Sequence, residues 1–233
     1  MPRGAVIRSG GCPAPCRGST GVFSLSVRRF VVFVWVLEGK VSDPHEVGHQ
    51  IGHWTTEFGD TPGYLGATGG VTDDRRFLLF VRWESEEAGN ELLRRREQQE
   101  WYEAFQESFD GAIDFTETGD VTTHLAGGSD AAGFVQAMKV SGVDRQRVET
   151  ADREFETIAA QFRPDLIGTV RVWTAPDGFV EVNYFTSEQD ARTGEKQAPP
   201  PEVMERVEEF MAMMEDAEYF DFTEPFLHTA RGR

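Results

Sequence analysis

The residues of this chain best suited to chemistry are Arg171, Glu181 and Asn183. A guanidinium is a rigid fork of donors, a carboxylate can take a proton, and an amide both donates and accepts; together they could orient a small molecule and move its proton. Ala175-Pro176-Asp177-Gly178 is a turn sequence, because proline suits the first central position and glycine the left-handed one. The flanking segments 166–174 and 179–186 therefore read as a hairpin. As a bulged hairpin pairing Ala175 with Phe179, it sets Arg171 opposite Asn183 and Trp173 opposite Glu181. Alternation then gathers Gln136, Arg171, Trp173, Glu181, Asn183 and Phe185 on one face, and the small apolar Val135, Ala137, Val170, Val172, Val180 and Val182 on the other. The small apolar set suits a surface under helices, which leaves the mixed polar and aromatic set facing an interior. The alternative is a plain Arg171–Glu181 ion pair on an exposed or subunit-contacting sheet.

Other candidate groups are weaker. His45, His49 and His53 lie four apart and form one stripe on a helix, but two imidazoles need further ligands and an open position before they make a metal centre. Cys12 and Cys16 sit in a Gly/Pro-rich leader without neighbouring histidines. Asp114 and Glu117, like Asp221 and Glu224, fall on opposite faces of their strands, which argues against a cooperating pair of carboxylates. His124 and His228 follow these strands at unequal distances and read as surface positions. No glycine-rich phosphate loop or nucleophile elbow is present in the sequence. Neither a metal nor a bound cofactor is expected.

These groups belong to a sequence that says nearly the same thing twice. Pro62, Gly66, Thr72, Phe77, Ser85 and Glu86 recur as Pro164, Gly168, Thr174, Phe179, Ser187 and Glu188. Asp114-Phe115-Thr116-Glu117 returns as Asp221-Phe222-Thr223-Glu224, with an insertion around residues 198–202 absorbing the change in spacing. A repeat of this length is a small domain, not a solenoid unit. In the first copy, a strand at 30–41 leads through Asp43-Pro44-His45-Glu46, a helix-start signature, into a helix ending near Phe58. Strands at 64–72 and 76–84, one long helix from Ser85 to about Phe109, and a strand at 112–118 complete a βαββαβ order. The second copy repeats it, with its last helix broken by the proline insertion. The expected organisation is a disordered basic extension at 1–28, a module at 29–126, a Gly-rich hinge at 127–132, a module at 133–228 and a tail at 229–233. Residues 1–28 also fit a start codon placed too far upstream.

Charge and length bound the remaining classes. The net charge is −17, and the five arginines of the first thirty residues leave 18 bases against 40 acids in the remainder. An acidic body repels phosphate backbones, so no nucleic-acid partner is expected. The apolar run Phe30–Leu37 is too short to span a bilayer, and no membrane partner is expected. With a cysteine-free repeated body, the expected location is cytoplasmic.

A βαββαβ module leaves one sheet face bare, and two copies can cover each other's. With its Gly-containing second strands, its aromatic-ended third strands (Arg82-Trp83-Glu84 and Tyr184-Phe185-Thr186), its Ser-Glu helix starts and its Asp-Phe-Thr-Glu strands, the chain resembles the dimeric α+β barrel superfamily. Within it, the likeness is to antibiotic-biosynthesis monooxygenases, with two ferredoxin-like modules fused in tandem over roughly residues 30–228. The resemblance implies oxidation of a small hydrophobic or aromatic compound without a bound cofactor, although relatives degrade haem or only bind ligands. No catalytic residue transfers by motif. The expected site lies between the sheets, with Arg171, Glu181 and Asn183 as catalytic candidates and Trp35, Trp83, Gln136, Trp173 and Phe185 around the ligand. An interior filled by its own side chains would instead favour a non-catalytic ligand-binding or oligomerisation module. The assembly expected is a monomer with an internal pseudo-dimer, or a homodimer.

Overall fold

Among the described residues, alternating apolar residues make ten strands, and Asp or Ser caps open several of the six helices between them. The computed structural model describes residues 32–230 apart from 126 and 202, with the backbone alone over 153–161. The basic leader with Cys12 and Cys16 lies outside the described residues. The first half contains β1 (Phe33–Lys40), α1 (Pro44–Phe58), β2 (Tyr64–Val71), β3 (Arg76–Trp83), α2 (Glu86–Leu93), α3 (Arg96–Gln106), β4 (Asp114–Thr118) and β5 (Val121–Leu125). The second contains β6 (Phe134–Val140), α4 (Arg145–Phe162), β7 (Leu166–Ala175), β8 (Gly178–Phe185), α5 (Glu188–Gly194), α6 (Met204–Met213), β9 (Glu218–Phe222) and β10 (Phe226–Thr229). At the start of α1, the Asp43 carboxylate accepts from the backbone N–H groups of His45 and Glu46, and Pro44 occupies the first turn.

The strands form two antiparallel five-stranded sheets, ordered β10-β2-β3-β1-β4 and β5-β7-β8-β6-β9. Four neighbours in each are the ferredoxin-like βαββαβ set, and the fold is a tandem α+β barrel. The fifth strand of each sheet comes from the other half. β5 pairs with β7, and β10 pairs with β2. Neither strand was expected, and β5 already belongs to the second sheet before the chain reaches the Gly-rich segment at 127–132.

The long helix expected after Ser85 is two helices, broken where Arg95 turns extended (φ −73°, ψ 136°). The cause is phase. Leu92 and Trp101 are both buried, yet nine residues of continuous helix would put them on opposite sides. The break lets both face the sheet. The β7–β8 register also differs from expectation: Ala175 pairs with Gly178, Trp173 with Phe179, Arg171 with Glu181 and Thr169 with Asn183, with an irregularity between Trp173 and Ala175.

The larger correction concerns which face is which. Val34, Val36, Leu78 and Phe80 of the first sheet pack against Val135, Ala137, Val170, Val172, Val180 and Val182 of the second, with Phe220 and Phe222 alongside. The small apolar set therefore fills the space between the sheets, where it had been expected under helices. Short branched side chains let two sheets approach and interdigitate, so this surface is closely packed. At Gly70 the approach leaves no space for a side chain: a Cβ there would lie 2.6 Å from the Phe222 ring. Polar links also cross between the sheets: the Tyr184 hydroxyl donates to Thr68 Oγ1 at 2.8 Å, and Lys139 Nζ donates to the Glu38 carboxylate at 2.6 Å. The helices cover the two outer faces, where the larger aromatic and polar residues lie.

Candidate functional site

On the first sheet the helix-facing residues are Phe33, Trp35, Leu37, Ala67, Phe77, Leu79, Val81 and Trp83, opposed by Val47, Ile51, Trp54 and Phe58 of α1 and Trp101 and Phe105 of α3. The fit is incomplete. A cavity of about 530 Å³ lies between them, within the range of small-molecule sites. Its floor is Trp35, Leu37, Ala67, Leu79 and Val81; Ile51, Trp54, Leu93 and Trp101 form the other walls. Phe115, 41% exposed on the edge strand β4, stands at the open side with Tyr102, Glu103 and Gln106. The small Ala67 leaves room on β2 that a larger residue would take up.

The aromatic walls hold one another. Trp35 packs on Trp83 with ring centroids 4.7 Å apart and meets Phe115 at 5.9 Å; Trp54 lies 6.2 Å from Trp101. Gly89 of α2 makes room for Trp35, since a Cβ there would come within 2.9 Å of the indole. Trp101 Nε1 donates to the backbone oxygen of Gln50, and Trp54 Nε1 donates to Gln98 Oε1 at 2.7 Å. Burial raises the Tyr102 hydroxyl above its ordinary pKa, partly offset by a hydrogen bond with Gln106, so it is a neutral phenol near pH 7.

The equivalent surface of the second sheet is occupied by charge. Gly69 and Leu79, neighbours on the first sheet, correspond to Arg171 and Glu181 on the second. Arg171, 2% exposed, donates from Nε to Glu181 Oε2 at 2.7 Å and also pairs with Asp152 of α4. Asn183 donates to Glu181 at 3.1 Å and accepts from Thr169 at 2.8 Å. His124 of β5 approaches Asp152 at 3.6 Å. Burial alone would raise the Asp152 pKa, but His124 and Arg171 outweigh it and hold the carboxyl below its usual value. For Arg171, burial works against the charged form, while Glu181 and Asp152 overcome it and raise its pKa.

The catalytic candidates Arg171, Glu181 and Asn183 are thus brought together, but under α4 and not between the sheets. Trp173 packs on Phe179 with Arg145 over its ring, Phe185 meets Phe134, and Gln136 donates to Asp221. Gln136, Trp173 and Phe185 share the outer face of the second sheet, whereas Trp35 and Trp83 lie on that of the first. The ligand group is therefore split between two remote surfaces, and of it Trp35 alone lines the cavity. Trp54, Gln98, Trp101 and Tyr102 were not among the expected site residues; Trp101 and Tyr102 read as a packed aromatic ridge on their helix, and the structure sets that ridge opposite Ala67 on the cavity floor. His45, His49 and His53 are exposed, the last two lying near Glu46 and Glu57. Far from being a surface position, His228 is half-buried on β10, its Nδ1 3.0 Å from the Tyr64 hydroxyl with the rings stacked.

Two ferredoxin-like modules meeting sheet to sheet, each covered outside by helices, define the α+β barrel class to which monooxygenase-like ferredoxin-fold proteins belong. No protein-family model matches the chain, and no curated protein matches it. Among solved structures it is similar to a proposed monooxygenase from Lactobacillus acidophilus NCFM, at 13% identity and a TM-score of 0.62, over 86% of this chain and 97% of that one. A proposed monooxygenase from Fusobacterium nucleatum subsp. nucleatum ATCC 25586 matches at 8% identity and 0.62, over 87% and 94%. An anthrone oxidase-like protein matches at 16% and 0.56, over 85% and 90%. At these identities the likeness is one of fold. Among the described residues no helix is long and apolar enough to cross a membrane.

Proposed function

We propose that this chain is a monooxygenase-like barrel protein that binds and acts on a small, flat, hydrophobic aromatic compound in the cavity between the first sheet and α1 and α3. The carrying observation is the cavity of about 530 Å³ walled by Trp35, Trp54, Trp101 and Phe115. Planar aromatic walls favour planar ligands through stacking and edge contacts, and the apolar floor gives a charged ligand nothing to offset its desolvation. The shared fold with an anthrone oxidase-like protein supports a fused-ring substrate of that kind. With both modules in one chain, a monomer completes the barrel.

Anthrone is the direct probe. Wild-type protein should bind it in equilibrium dialysis, and Ala67→Phe, which places a ring on the cavity floor, should weaken binding at least tenfold while keeping its circular dichroism. Catalysis is measured separately as oxygen uptake above the spontaneous rate, one O₂ per anthrone giving anthraquinone and water. Equal binding by wild type and Ala67→Phe removes the site; binding without oxygen uptake identifies a ligand-binding barrel instead of an oxidase.

A further inference from the structure

We infer that Gln98 sets which aromatic compounds the cavity accepts, by donating a hydrogen bond from its side-chain amide nitrogen to a neutral carbonyl oxygen on the ligand. This rests on the cavity being a ligand site, as proposed above. Gln98 faces the sheet from α3, lines the cavity and is only 5% exposed. Its Oε1 accepts from Trp54 Nε1 at 2.7 Å. An indole N–H can only donate, so Trp54 dictates which end of the amide turns toward α1. The other end, Nε2, has no hydrogen-bond partner among the described residues, which leaves two N–H donors unspent beside apolar walls. A ligand acceptor satisfies them, whereas a ligand without one leaves a buried donor unpaired, and a site of that kind discriminates strongly. The acceptor is neutral because of its surroundings. The one charged residue on the lining is Glu103, an exposed acid that repels anions. The class selected is therefore aromatic ketones and quinones, in preference to aromatic hydrocarbons or carboxylates.

Fluorenone and fluorene test this, since they share a skeleton and differ by one carbonyl. The readout is the ratio of their two affinities, from equilibrium dialysis, because comparing ratios between proteins cancels their different hydrophobicity. Relative to wild type, the preference for fluorenone should fall roughly tenfold in Gln98→Leu. Gln98→Glu, which still offers Trp54 an acceptor but replaces the amide donor, should lose the preference too. It decides the matter if the leucine variant does not fold. A ratio unchanged in the folded variants overturns the role of Gln98 and leaves the cavity reading standing. Failure of wild type to bind either compound overturns both.

Discussion

Replacing Arg171 by methionine should be among the most damaging single changes in the second module. The guanidinium is 2% exposed and pairs with two carboxylates, Glu181 and Asp152, whose side chains are 9% and 12% exposed. Removing the cation leaves both acids buried without their main partner, and breaking a buried pair in this way costs about 3–5 kcal/mol. For a chain of this size that corresponds to a melting point lower by roughly 6–20 °C. The penalty comes mostly from the stranded acids, so adding Asp152→Asn and Glu181→Gln to Arg171→Met should recover more than half of it. Acidity gives a second check. Because the Asp152 carboxyl is held below its usual value in the folded protein, its contribution is present above the ordinary aspartate pKa of about 3.9 and disappears as pH falls through the lower folded value. In Arg171→Met the Asp152 carboxyl loses the cation that helps hold its pKa down and protonates more readily, so the gap from wild type should narrow between pH 7 and pH 3.5. Urea titrations followed by tryptophan fluorescence measure both effects. A loss below about 1 kcal/mol at pH 7, or a gap independent of pH, would refute the reasoning.

Two further outcomes follow from the interior between the sheets. Phe80→Ala removes a ring that is 1% exposed and should cost about 3–5 kcal/mol in urea unfolding, while a cost under 1 kcal/mol would mean that the sheets close over the gap. Burial raises the phenol pKa of Tyr184 between the sheets, and also that of Tyr64 on the helix-covered side of the first sheet. The folded state favours the neutral phenols, so stability is fully held below about pH 10 and falls as pH rises from there toward the folded values. Tyr184→Phe should make that alkaline decline shallower in melting points recorded from pH 8 to 11.

The βαββαβ order and the duplicated plan were legible because strand alternation, the Asp43-Pro44 start and the Ser85 and Ser187 caps are local signals. Alternation also separated the faces of β7 and β8 correctly, but it cannot say which face meets the other sheet. Val170, Val172, Val180 and Val182 would pack well under a helix or against a second sheet, and the choice depends on partners distant in sequence. The break at Arg95 was readable in principle, from the change of apolar phase between Leu92 and Trp101. β5 and β10 were not: at five and four residues they carry weak patterns, and their partners lie in the other half. The cavity depends on a small residue, Ala67, lying opposite large aromatics on helices, a relation that exists only after folding.

The exchange of β5 and β10 also governs how the molecule can be made. Phe226 lies opposite Gly69 and Thr229 opposite Gly66, so the outer edge of β2 stays unpaired until β10, about 150 residues further along the chain, has been made. An N-terminal half emerging alone presents open backbone N–H and C=O groups, an invitation to wrong pairing. Contacts between such distant segments slow folding. The halves are thus laced together, and a cut between them would yield two fragments that each lack an edge strand held by the other.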